Sequence, residues 1–133
     1  MIDTSCPIGV FDSGVGGLSV LRALRAELPQ ERFVYVADSG HAPYGERNDE
    51  HVIARTHAIA LHLLERHRIK ALVVACNTAT AAAIRLLRDT HPGLPIIGIE
   101  PALKPAAQTS KTGVIGVMAT RGTLNSEKFR ALL

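Results

Sequence analysis

Ala71-Leu72-Val73-Val74-Ala75-Cys76-Asn77-Thr78-Ala79 is the stretch whose reading decides the fold. Its first five residues are apolar and rich in branched side chains, the pattern of a buried strand. An Ala-rich helical stretch follows at once. The segment therefore reads as strand, tight turn and helix start, with a thiol at the mouth of the turn. Backbone N–H groups at a helix N-terminus favour anions, so a thiol there is in a setting that favours the thiolate. Asn77 and Thr78 add short polar side chains suited to capping or to holding a small ligand. The same residues also describe a plain buried cysteine that ends a strand, because free cysteine is among the most buried residue types.

The same unit recurs outward in both directions. Strands are expected at Ile8–Phe11, Phe33–Ala37, Leu72–Ala75, Ile96–Ile99 and Gly113–Val117. Helices are expected over about 18–28, 49–67, 79–90 and 102–108, and a last one from Leu124 or Ser126 to the C-terminus. Short apolar strands alternating with amphipathic helices predict an α/β fold with a parallel five-stranded sheet and helices on both faces. The expected strand order is the flavodoxin-like 2-1-3-4-5. The 133 residues suffice for one domain with a real core. Neither an internal repeat nor a linker is apparent. The chain stops inside a helical pattern, Ala131-Leu132-Leu133, which reads as a cut rather than a natural finish.

Composition narrows the function classes. No apolar run approaches the ~20 residues of a membrane span, and Met1 to Cys6 lacks the pattern of a signal peptide. Two cysteines without a secretory signal argue for a reducing cytoplasm rather than a disulfide framework. The net charge of +3 comes from arginines spread over helices, such as Arg22, Arg66 and Arg85, which suits solvated helix faces. Without aromatics interleaved among them, no nucleic-acid partner is expected. The six histidines lack metal-ligand spacing, and no metal or other cofactor is expected.

In an open parallel sheet, ligands bind beyond the carboxyl ends of the strands. The residues there are Asp12-Ser13-Gly14-Val15-Gly16-Gly17, then Asp38 with Pro43-Tyr44-Gly45, then Cys76-Asn77-Thr78, Glu100-Pro101, and Thr120 with Thr123. With strands one and three as neighbours, Asp12, Ser13 and Cys76 face one crevice. The Gly-rich loop is not a dinucleotide fingerprint, because the third glycine position is Ser19, and no Gly-Lys-Ser/Thr makes it a P-loop. Each of these residues has a structural alternative. Asp12 also suits a cap, Tyr44 a loop anchor, Glu100 a cap for the following helix, and Thr120 and Thr123 caps for the last one.

Together these segments resemble the glutamate racemase family. The resemblance is carried by Gly9-Val10-Phe11-Asp12-Ser13-Gly14-Val15-Gly16-Gly17-Leu18, Ala37-Asp38, Pro43-Tyr44-Gly45, Val74-Ala75-Cys76-Asn77-Thr78-Ala79, Gly98-Ile99-Glu100-Pro101 and Gly116-Val117-Met118-Ala119-Thr120. Motifs in this order and spacing are specific. The resemblance implies a cofactor-independent racemase that interconverts L- and D-glutamate for peptidoglycan, with one cysteine on each face of the substrate Cα. It implies that Cys76 is the thiol of the first lobe and that Asp12 assists proton handling near the substrate ammonium. It implies that Ser13, Pro43, Tyr44, Gly45, Asn77, Thr78 and Thr120 hold the substrate's polar groups. The family's second lobe carries a Gly-Cys-Thr-His context that this sequence does not contain. The expected partner is thus a C-terminal lobe or a second copy of the chain. Cys6 precedes a strand and is read as structural.

Two other classes are weighed. A cysteine phosphatase needs an arginine six positions beyond its thiol, and that position is Ala82. An amino-acid-binding or regulatory protein built from one racemase lobe remains the alternative.

Overall fold

The computed structural model describes residues 2–133. Strands β1 (Ile8–Asp12), β2 (Phe33–Ala37), β3 (Ala71–Val74) and β4 (Ile96–Gly98) form one parallel sheet in the order β2-β1-β3-β4. Helices α1 (Leu18–Glu27), α2 (Asp49–His67), α3 (Asn77–Thr90) and α4 (Leu103–Thr109) follow the four strands in turn, and α5 (Arg121–Leu124) and α6 (Glu127–Leu132) end the chain.

Alternation along the strands sorts the side chains between two layers. Phe11, Leu72 and Val74 face Val52, Ile59 and Leu63 of α2 and Ala79, Ile84 and Leu87 of α3. Ile8, Val10 and Val73 point the other way, onto Val20, Leu21 and Leu24 of α1. The expected helices on both faces are therefore present, although the α1 layer is thinner: no α1 residue is fully buried. Small residues let α3 lie close to the sheet. Ala79 and Ala83 are completely buried, and a Cβ on Gly98 would stand 2.4 Å from Ile84 Cδ1.

The expected fifth strand is not formed, and the order ends at β4 rather than continuing 3-4-5. Gly113 turns the chain with φ +75. Beyond it Val114 is 77 % and Met118 fully exposed. A two-sided apolar strand is stabilised by layers that bury both its faces, and no such layer covers Gly113–Val117 here. The last helix is also divided. Thr120 caps α5, accepting from the Thr123 N–H, and Ser126 caps α6, accepting from the Phe129 N–H.

Helix α3 begins at Asn77, two residues earlier than the sequence suggests, because Cys76 itself is the N-cap and its sulfur accepts the Ala79 N–H at 3.4 Å. No helix is long and apolar enough to cross a membrane among the described residues.

Candidate functional site

The order β2-β1-β3 puts the switch in strand order between β1 and β3, where a crevice opens at the carboxyl ends. The Ala75 N–H donates to the Phe11 carbonyl at 2.8 Å, so the turns after β1 and β3 leave the sheet side by side. Asp12 with Ser13, and Cys76 with Asn77, are thereby brought together. The Cys76 thiol donates to Ser13 Oγ at 3.6 Å while its sulfur accepts from Ala79. Cys76 is 6 % exposed.

Asp12 fills the structural role that the sequence offered as one alternative. Its Oδ2 accepts from the Gly14 and Gly17 N–H groups at 3.2 and 3.0 Å, which ties the Gly-rich loop into a turn at the start of α1. Among the described residues its Oδ1 has no partner. Tyr35, which the sequence reading passed over, closes the same loop from beneath by donating to the Gly14 carbonyl at 2.8 Å. Burial, with the charges of Asp12 and Cys76 nearby, raises the Tyr35 phenol above its ordinary value.

The loop after β2 is held by an ionic network around the buried Asp38. Asp38 accepts from Arg55 Nε and Nη2 at 2.8 and 2.9 Å, from the Tyr44 hydroxyl at 2.5 Å, and lies 3.2 Å from His41 Nδ1. Tyr44 is 1 % exposed and packs on Phe11 and His51. Its phenol is spent on anchoring the loop, so Tyr44 presents only backbone to the crevice. The Ala42–Pro43 peptide is cis. Arg55 was invisible in sequence because it acts across 17 residues. The one available hint was an arginine on the inward side of an otherwise apolar helix stripe.

Arg55, then the Tyr44 hydroxyl, hold the Asp38 carboxyl down at about 2, below its ordinary value of 3.8. The charged form is therefore bound more tightly in the fold than in the unfolded chain. That stability is complete above the unfolded value and is lost as pH falls through 3.8 towards 2. Urea unfolding between pH 5 and 2 should show a loss of roughly 2 kcal/mol from this source. Asp38→Asn should be less stable at pH 5 and lack this component. An unchanged acid limb in Asp38→Asn would rule the network out as its cause.

Gly45 touches the far side of the site. A Cβ there would stand 2.5 Å from Thr120 Cγ2, so the loop packs directly on the start of α5. Thr78, Thr120 and Thr123 meet in a hydroxyl cluster, with Oγ1 separations of 2.7 Å (Thr78–Thr120), 3.1 Å (Thr120–Thr123) and 3.5 Å (Thr78–Thr123). Asn77 and Thr120 are exposed at its rim, as is Pro43, whereas Thr78 is buried. A hollow of about 780 Å³ between the loop after β2, α3 and α5 is lined by Pro43, Gly45 and Thr120 but includes neither Cys76 nor Asp12.

The remaining residues singled out in the sequence are placed as follows. Glu100 neither caps α4 nor enters the crevice; it pairs with Lys128 of α6 at 3.3 Å. Thr123 does not cap a helix with its side chain and is 2 % exposed. Cys6 lies at the opposite end of the sheet, beside Arg68 and Lys70. His57 and His91 bring their rings to 6.3 Å, with both Nε2 atoms buried and unpartnered among the described residues. Among those residues no cluster of three His, Cys, Asp or Glu side chains could hold a metal ion.

Residues 8–133 match the model of the Asp/Glu/Hydantoin racemase family. The chain belongs to that family. It is 59 % identical over all its 133 residues to a glutamate racemase of Ectopseudomonas mendocina, covering 50 % of that protein. It is 58 % identical over 127 residues to one from Ralstonia pickettii, covering 44 % of it. Among solved structures, the Escherichia coli glutamate racemase in complex with L-glutamate and the activator UDP-MurNAc-Ala superposes with a TM-score of 0.87. It is 39 % identical, over 96 % of this chain and 48 % of that one. The Thermus thermophilus enzyme in complex with beta-chloro-D-alanine gives 0.84 at 42 % identity, over 98 % and 50 %. This racemase-family chain thus spans about half the length of the relatives it matches.

Proposed function

We propose that this chain supplies one half of the active site of a cofactor-independent glutamate racemase, serving peptidoglycan synthesis in the cytoplasm. Cys76 is the thiol that works on one face of the substrate Cα. The observation that carries the reading is the Cys76 sulfur, hydrogen-bonded to Ser13 and to the Ala79 N–H at the carboxyl end of β3.

The chemistry follows from the groups available. Cys76 as thiolate takes the Cα proton, the C–H bond breaks, and its electron pair stays on the substrate. A second thiol on the opposite face gives a proton to that pair, and the product has the other hand. One base alone tends to return the proton to the side it left, so two acids facing each other are needed. Asp12, with Oδ1 free, assists proton handling beside the substrate ammonium. Ser13, Asn77, Thr78, Thr120 and the Pro43-Tyr44-Gly45 backbone hold its polar groups. The second thiol is not Cys6, which is a sheet length away. It comes from a C-terminal lobe or a second copy of the chain, and the exposed Val15, Val114 and Met118 suit such a covering partner.

Circular dichroism with L-glutamate tests this in two proteins: the 133-residue chain alone, and the same residues joined to the remaining half of the Ectopseudomonas mendocina relative. The joined protein is expected to racemise glutamate and the chain alone is not. A folded but inactive joined protein would refute the reading. Sustained turnover by the chain as a monomer would mean that a second base lies within it.

A further inference from the structure

Tyr35 stands in register with Val10 of β1 and packs on the cluster of Ile8, Val10 and Val73, on the α1 side of the sheet. A phenylalanine ring would fill that place as well. The hydroxyl does something further: it donates to the Gly14 carbonyl at 2.8 Å. It also stands 2.9 Å from a Cβ placed on Gly17, so the Gly-rich loop closes directly over it. Among the described residues, Tyr35 and Cys76 are the only side chains from outside residues 12–27 that hydrogen-bond to this loop. Gly14 has open space around it and no side chain to hold it. Its peptide groups are fixed by two bonds, the N–H by Asp12 Oδ2 and the carbonyl by Tyr35. Ser13 is the residue next to that anchor, and its Oγ accepts from the Cys76 thiol at 3.6 Å. A thiol is a weak donor, so a bond of this length depends on where the loop holds the serine.

We propose that Tyr35 is a positioning residue for the thiol: by donating to the Gly14 carbonyl it holds Ser13 where the serine hydroxyl follows the Cys76 sulfur through both of its protonation states. The inference rests on the reading of Cys76 as a racemase thiol, and adds to it the residue that keeps the sulfur's hydroxyl partner in place. Tyr35 touches no ligand and acts through Gly14 and Ser13. A serine hydroxyl accepts from a thiol and, turned about its C–O bond, donates to a thiolate. A proton exchange that runs in both directions needs the sulfur in each of these forms. The bond to the charged form is the stronger one, so a misplaced Ser13 costs the thiolate more than the thiol. Burial, before any neighbouring charge, raises the phenols of Tyr35 and Tyr44, the two tyrosines that feel the Cys76 charge. Both therefore stay neutral where the thiol titrates. Asp12, from the end of β1, is the carboxylate of the same turn.

The test follows alkylation of the 133-residue chain by iodoacetamide across a pH series, with peptide mass spectrometry reporting Cys76 and Cys6 separately. Tyr35→Phe keeps the ring and removes the hydroxyl. The midpoint of the Cys76 profile is expected to move up by about 0.5 pH unit, part of the effect of one charge-assisted hydrogen bond. The Cys6 profile, from the opposite end of the sheet, should not move. Mere loosening of the loop would instead raise the Cys76 rate at every pH and leave the midpoint in place. In a Ser13→Ala background the tyrosine substitution should add no further shift, because the route runs through Ser13. In the joined protein kcat should fall about threefold, the change in thiolate fraction that such a shift makes below the midpoint, with KM within about twofold of the parent. Thermal melting of each variant separates a local effect from loss of fold. An unmoved midpoint in Tyr35→Phe overturns the inference and leaves the racemase reading standing. So does an equal shift in the Ser13→Ala background, which would mean that Tyr35 acts by another route. A joined parent protein that folds but does not racemise glutamate overturns the reading, and the inference with it.

Discussion

Cys76→Ala in the joined protein is expected to lower racemisation by about 10²–10⁴-fold, the usual contribution of a positioned acid or base, while glutamate still binds. The alanine also removes the sulfur that caps α3, so its effect mixes chemistry with a lost cap. Cys76→Ser separates the two. A serine oxygen is a better helix cap than sulfur, so this variant should melt at or above the parent temperature. Its hydroxyl is too weak an acid, and its alkoxide too scarce, to exchange the Cα proton, so it should be as inactive as the alanine. Racemisation is read by circular dichroism and binding by titration. Near-normal turnover in either variant would remove Cys76 from the mechanism. Asp12→Asn gives the complementary result. The amide oxygen can still accept from Gly14 and Gly17, which preserves the loop, but the free Oδ1 is replaced by a group that takes no proton. A fall in kcat larger than any rise in KM is expected. A change confined to KM would make Asp12 a substrate holder instead.

The second large effect concerns stability and falls on Gly17. This residue has φ −65 and ψ −11, open to any amino acid, so its requirement is space rather than conformation. A Cβ there would lie 2.6 Å from Asp12 Cβ, 3.1 Å from Ala75 Cβ and 2.9 Å from the Tyr35 hydroxyl. The first two belong to side chains at their attachment to β1 and to the end of β3, which cannot swing aside. Gly17→Ala should therefore cost about 2–3 kcal/mol in urea unfolding, as overpacking of a tight site does. It should also push Asp12 off the loop amides. Gly14 is the matched control, since nothing lies within 4 Å of a Cβ placed on it. If Gly17→Ala and Gly14→Ala unfolded at the same urea concentration, the close approach of the loop to β1 and β3 would be discredited.

Both effects arise at one meeting of two turns, and that explains how the site is built. The Gly-rich loop contributes no side chain of its own besides Ser13 and Val15. It lets α1 start directly over Asp12, and the Asp12 carboxylate in turn holds the loop. Tyr35 and Arg55 reach the same region from β2 and α2. Loss of Arg55 would leave the buried Asp38 carboxylate uncompensated, so this support is costly to remove even though it touches no reacting atom.

Sequence alone determined the parts whose cause is local. The short apolar runs at Ile8–Phe11 and Leu72–Ala75 marked both segments as strands before any partner was known. The helix expected over 49–67 coincides with α2, whose cap, Asn48, the structure adds. The polar turns after each strand named Asp12, Ser13, Cys76, Asn77 and Thr78 as neighbours, because a parallel sheet gathers the carboxyl ends of its strands at one edge. Only the tertiary structure decided what depends on contacts between distant segments. Gly113–Val117 has the composition of a strand, but pairing requires covered faces, and none is present at the β4 edge. Tyr44 reads equally as a ligand contact or an anchor until the Asp38 carboxylate, itself held by Arg55 of α2, claims its hydroxyl. The hydroxyl cluster at Thr78 is completed by Thr120 and Thr123, more than 40 residues away. Periodicity records which side of an element faces inward. It does not record which group will stand opposite, and at this site that decides which oxygens and donors remain free for a ligand.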